Sequence, residues 1–104
     1  MTSRGIIFFA SGRKYIDEAL ASLRRSARHN PVPHTLFCSE APGSSTVATT
    51  LRFAPTKNVW LDRIECLRAT PYELNIYLDV DCVVLAPILE LFDLLANYEI
   101  AAAS

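Results

Sequence analysis

No stretch of this sequence approaches the ~20 consecutive apolar residues that a membrane-spanning helix requires, so no span is expected. The apolar run at residues 5–10 (GIIFFA) is shorter than most signal-peptide cores of about 7–15 residues, and Arg13 and Lys14 follow it where a small-residue cleavage site would stand. An excess of one charge is also lacking. The formal net charge is −1, which predicts no nucleic-acid footprint. Cysteines are few, odd in number and far apart: Cys38, Cys66 and Cys82 form no C-x-x-C pair and no Cys/His pair with metal spacing. That pattern fits a reduced, cytoplasmic setting better than a disulfide framework. There is no internal repeat and no low-complexity segment.

What is present is an apolar, globular composition. Apolar residues make up 51% of the 104 residues and charged ones 20%, with a mean hydropathy of +0.21. A chain of this length forms one small domain, and a small domain has little interior in which to hide so much apolar surface. The composition therefore predicts either unusually complete burial or an apolar face that meets a partner. The one basic cluster, Arg24, Arg25, Arg28 and His29, falls late in a helical pattern, where cations favour the negative end of the dipole.

The order of elements reads as α/β, a mostly parallel sheet with flanking helices. Residues 5–10 read as a strand buried on both faces. After Ser11 and Gly12, Ile16, Ala19, Leu20, Leu23 and Ala27 recur at helical spacing, and Asn30, Pro31 and Pro33 stop the helix. Residues 34–38 (HTLFC) read as a second strand, 39–46 as a loop and 47–53 as a shorter strand. Trp60, Leu61, Ile64 and Leu67 mark a helix over about residues 56–69, ended by Thr70 and Pro71. Residues 74–78 (LNIYL) read as a further strand that runs into Asp79 and Asp81. Beyond them, Ile88, Leu91, Phe92 and Leu95 suggest a helix opened by Pro87, and residues 99–103 a last strand.

Two carboxylates at i and i+2 just past a buried strand are the main chemical signal. In extended chain they point to one side, and the C-terminal end of a parallel strand opens into the crevice where α/β folds bind ligands. Two acids there repel each other, and a divalent cation removes the conflict. Mg²⁺ and Mn²⁺ take oxygen ligands, and Mg²⁺ is commonly held by one or two carboxylates together with substrate phosphates. The bland reading is that Asp79 and Asp81 only end the strand and cap nearby backbone.

The span 70–81 (TPYELNIYLDVD), followed by VVL at 83–85 and LFDLL at 91–95, resembles the D-x-D region of GT-A nucleotide-sugar glycosyltransferases, most nearly those related to bacterial lipopolysaccharide sugar transferases and glycogenin. The opening strand, loop, helix and second strand resemble that family's opening β-α-β, so the likeness covers nearly the whole chain. The resemblance implies a Rossmann-like half of a GT-A fold, a nucleotide-diphosphate sugar as donor and Mn²⁺ or Mg²⁺ as cofactor. It implies Asp79 at the ribose or the outer shell of the metal and Asp81 as a direct metal ligand. Ala10, Ser11 and Tyr15 would lie at the base and ribose, and Arg63 near the donor phosphates. Cys82 stands where the family commonly has a small hydroxyl residue. The family's further metal ligand, often a histidine, lies well beyond the D-x-D, and neither His29 nor His34 matches it.

Two other readings compete. A haloacid-dehalogenase-type phosphatase also uses Asp-x-Asp after a buried strand, with the first Asp as nucleophile, but its motif lies near the N-terminus and continues to a threonine, where this chain has Val83. A non-catalytic nucleotide-binding or assembly module with a glycosyltransferase-like half-fold is the alternative from a different class. The short sequence after Asp81 suggests a single domain truncated at its C-terminus, with no second wall for the acceptor. Such a chain is expected to be a poor catalyst and a homo-oligomer, with apolar surface exposed around residues 88–95 or 99–103. The sugar, base, acceptor and stereochemical course are not specified by these residues.

Overall fold

A computed structural model of the chain describes residues 3–42, 49–79 and 88–93. Four strands form one parallel sheet: β1 (Arg4–Ala10), β2 (His34–Cys38), β3 (Thr49–Arg52) and β4 (Leu74–Leu78), in the order β3-β2-β1-β4. Helix α1 (Arg13–His29) connects β1 to β2, and helix α2 (Val59–Arg68) connects β3 to β4. The protein is thus α/β with an all-parallel sheet and flanking helices, as the element order predicts.

Strand alternation sorts β1 between two cores. Ile6, Phe8 and Ala10 pack with Ile16, Ala19, Leu20 and Leu23 of α1, joined by Leu36, Cys38 and Ile76. Ile7 and Phe9 face the other way, towards Phe37 and towards Cys66 of α2, with Tyr77, Tyr72, Leu51 and Phe53 at the margin. This two-sided burial is why the run at 5–10 carries no polar alternation. Each fully buried Ile, Leu or Phe in it contributes about 1.5–3 kcal/mol relative to exposure. Phe92, fully buried, extends the α1-side core.

Buried polar side chains tie the pieces together. Asn30, which ends α1, donates from its side-chain amide to the Ser26 carbonyl at 3.0 Å and accepts from the Ile88 amide at 2.8 Å. His34 and Ser26 are hydrogen-bonded at 2.8 Å, and the other ring nitrogen of His34 lies 2.8 Å from the Val32 carbonyl. A carbonyl only accepts, so Nδ1 carries the proton and Nε2 accepts from the Ser26 hydroxyl.

Several expectations need correction. Helix α2 begins at Val59 and not near Thr56, because the Asn58 side chain accepts from the amides of Trp60 and Leu61 and so fixes the cap. The third strand is confined to Thr49–Arg52, though Phe53 still donates its amide to Cys38; residues 47 and 48 lie outside the described residues. Among the described residues β1 is flanked by strands on both sides and β4, the strand before Asp79, is paired with β1 on one side; the last strand expected at 99–103 lies outside them. The exposed apolar surface was expected at residues 88–95 or 99–103. Of these, Phe92 is buried, and 94–103 lie outside the described residues. Among the described residues the large exposed apolar side chains are mostly on α2.

Candidate functional site

The sheet order places a topological switch point between β1 and β4. From β1 the chain moves outward to β2 and β3, then returns to the opposite side of β1 as β4. The connections leaving β1 and β4 therefore diverge at their C-terminal ends and leave a crevice, the place where open α/β sheets bind ligands. A cleft of about 440 Å³ lies there, lined by Phe9, Ala10, Ser11, Tyr15, Val59, Arg63 and Asp79. All five described residues proposed from sequence, Ala10, Ser11, Tyr15, Arg63 and Asp79, are brought together in it. Asp81, like Cys82, lies outside the described residues.

The floor comes from β1 and the loop behind it. Gly12 has φ of +96°, a conformation that disfavours any side chain, and its amide donates to the Ser39 hydroxyl at 2.8 Å. Arg13 reinforces the loop by donating to the Ala41 carbonyl and pairing with Glu40 at 3.0 Å. Helix α1 has no side-chain cap and no acid in its first turn, so its positive end, with Arg13 and Lys14, adjoins Ser11. Tyr15 is half-exposed at the rim.

The wall from α2 is built around Arg63. Its guanidinium lies 4.8 Å from the Trp60 ring, 5.4 Å from Phe9 and 6.0 Å from Tyr77, a setting in which cation–π attraction holds the charge in place. Its Nε is buried and has no hydrogen-bond partner among the described residues. Three aromatic rings from two strands and its own helix orient it.

Asp79 is exposed, one step past Leu78, the last residue of β4 paired with β1. Its carboxylate is close enough to Tyr77 for its charge to act on the phenol, which fits i and i+2 on one side of the strand. The Tyr77 hydroxyl is pushed up to about 12, first by burial and further by the charge of Asp79, against the opposing pull of Arg63. Tyr77 therefore remains protonated across the neutral range.

Among the described residues no group of three or more His, Cys, Asp or Glu side chains is positioned to hold a metal. Asp79 is the one acid that lines the cleft among the described residues. Asp62, the nearest acid by sequence on α2, is buried and already accepts from the Thr56 amide and hydroxyl at 3.0 and 2.7 Å. The donor set suits Mg²⁺ or Mn²⁺ only where Asp81 and a phosphate-bearing ligand complete it.

Phe9, Val59 and Tyr77 are parts of the site that sequence reasoning passed over. Phe9 and Tyr77 read as ordinary strand residues, and only the β1–β4 register, Ile7 opposite Tyr77 and Phe8 opposite Leu78, puts Phe9 beside Asp79. No family model matches the chain, and no curated protein and no solved structure matches it.

Proposed function

We propose that the cleft binds the diphosphate of a nucleotide-sugar through a divalent cation, and that the chain is the donor-binding part of a glycosyltransferase. One observation carries the reading: residues far apart in sequence, Ala10, Ser11, Tyr15, Arg63 and Asp79, line a single cleft at the switch point of a parallel sheet. The roles follow from chemistry. Asp79, with Asp81, supplies carboxylate oxygens for Mn²⁺ or Mg²⁺. Arg63 offers a guanidinium for phosphate oxygens. The positive end of α1 adds favourable potential for an anion, and Tyr15 presents an aromatic face at the rim. The bound cation would neutralise charge on a departing diphosphate.

Titration calorimetry with nucleoside diphosphates, with Mn²⁺ and in excess chelator, tests the reading. Binding that requires the cation and weakens in Asp79→Asn is expected. Equal affinity in chelator would remove the metal from the proposal, and no binding of any nucleoside diphosphate would remove the donor site.

A further inference from the structure

Helix α2 is amphipathic in the reverse sense. The two residues it buries are Asp62 and Cys66, one turn apart on the inner face. Trp60, Ile64 and Leu67, at i, i+4 and i+7, form a stripe on the opposite side. They are 69%, 50% and 39% exposed, with Leu61 at 56% beside them. An apolar stripe turned away from a helix's own core marks an interaction surface when it is continuous.

We propose that this stripe is a self-association face, on which a second copy of the chain docks its own α2 antiparallel across a two-fold axis near Ile64. Three observations favour a second copy. Large aromatic side chains cover about 150–250 Å² each, so at these exposures the four side chains present on the order of 500 Å². A pair would then bury on the order of 1,000 Å², the lower limit for a specific interface, which fits a reversible dimer with a dissociation constant of about 1–100 μM.

The stripe is also self-complementary, as a two-fold interface must be. An antiparallel pair centred on Ile64 sets Leu61 opposite the partner's Leu67. It also sets Trp60 opposite the partner's Arg68, a cation over an indole. Arg68 is highly exposed, and among the described residues it pairs with the exposed Glu65 at 3.5 Å. Finally, the charges of α2 itself, Asp62, Arg63, Glu65 and Arg68, are balanced. A helix that lies on a membrane surface carries a polar face rich in lysine and arginine, which α2 lacks.

Trp60 is the only tryptophan and reports directly on this face. Sedimentation of the full chain from 1 to 200 μM should show a monomer–dimer equilibrium, with Trp60 emission shifting to the blue over the same concentrations. Ile64→Lys should weaken association more than tenfold, because it places like charges at the axis. Its far-ultraviolet circular dichroism and melting temperature should stay unchanged, since the position is half-exposed. Ile64→Glu alone should behave the same way, and an equimolar mixture of the two variants should restore dimers.

A chain that stays monomeric to 200 μM overturns the proposal. So does a dimer indifferent to both variants, or a mixture that fails to re-associate. A blue shift produced by vesicles containing anionic lipid but not by protein concentration overturns it in favour of a membrane surface.

Discussion

The ring of Tyr72 lies against the α-carbon of Gly5, where any β-carbon would overlap it. The ring cannot easily swing aside, because its hydroxyl is hydrogen-bonded to Thr35 at 2.7 Å. The contact clamps β4's approach to the start of β1, where Gly5 pairs with Asn75.

Gly5→Ala is therefore expected to destabilise the fold by about 1–3 kcal/mol through overpacking, and Tyr72→Phe by about 1 kcal/mol through the lost hydrogen bond. In a Tyr72→Ala background the Gly5→Ala cost should largely vanish, a coupling expected only of residues in contact. Urea denaturation of the four proteins measures it. Simple additivity would mean that Tyr72 does not occupy this position.

His34 predicts a pH dependence. Burial holds its pKa below the ordinary value of 6.5, against the opposing effect of the Val32 carbonyl. The folded state thus binds its proton less readily than the unfolded state. The contribution is fully present above the unfolded pKa and is lost as pH falls through the lower folded pKa. Stability should drop as pH falls below about 6.5, and His34→Gln should flatten that drop relative to the parent chain in denaturant titrations at each pH. An identical slope in the variant would assign the loss to other groups.

The start of α2 rests on two side chains with different burdens. Asn58 caps the Trp60 and Leu61 amides from an exposed position, so Asn58→Ala should cost about 1 kcal/mol. Asp62 is buried and satisfies both the amide and the hydroxyl of Thr56. Asp62→Ala removes the charged acceptor of both hydrogen bonds, at about 1.5–3 kcal/mol, and should be the more damaging. Thermal melts of the two variants decide the order, and the reverse order would mean that Thr56 finds water when Asp62 is gone.

These polar residues also show where the sequence stops being legible. The buried strand at 5–10 and the apolar face of α1 could be read because hydrophobic spacing alone specifies them. Ser22, Ser26, Asn30, His34 and Asp62 are all buried, yet nothing local distinguishes them from solvated residues. Their burial depends on partners distant in sequence, such as Ile88 for Asn30. Helix α2 misleads in the same way: its apolar pattern places a helix correctly, but periodicity does not say which side faces in, and here it is the side bearing Asp62. At the site, Ser11 and Asp79 could be anticipated from strand ends. The aromatic setting of Arg63 could not, since it is assembled from β1, β4 and α2 together.

Arg63 and Asp79 face one cleft with opposite charge, and their variants should separate two contributions to ligand binding. Asp79 would act through the cation, so Asp79→Asn should flatten the dependence of nucleoside diphosphate affinity on Mn²⁺ while leaving the weak cation-free binding in place. Arg63 would meet phosphate directly, so Arg63→Ala should lower affinity by a similar factor with the cation and in chelator. A direct charged hydrogen bond of about 1.5–3 kcal/mol corresponds to roughly a 10–150-fold loss. Arg63→Lys keeps the charge but not the planar stacking on Trp60, Phe9 and Tyr77, and should recover only part of that loss. Asp81→Asn should weaken binding in Mn²⁺ more than Arg63→Ala does, because the cation bridges carboxylate and diphosphate whereas the arginine is one contact among several. Calorimetry of the four variants, each with Mn²⁺ and in chelator, reads all of these outcomes. If Arg63→Ala abolished only the cation-dependent part, Arg63 would be serving to orient the carboxylates through Tyr77 and not to hold phosphate.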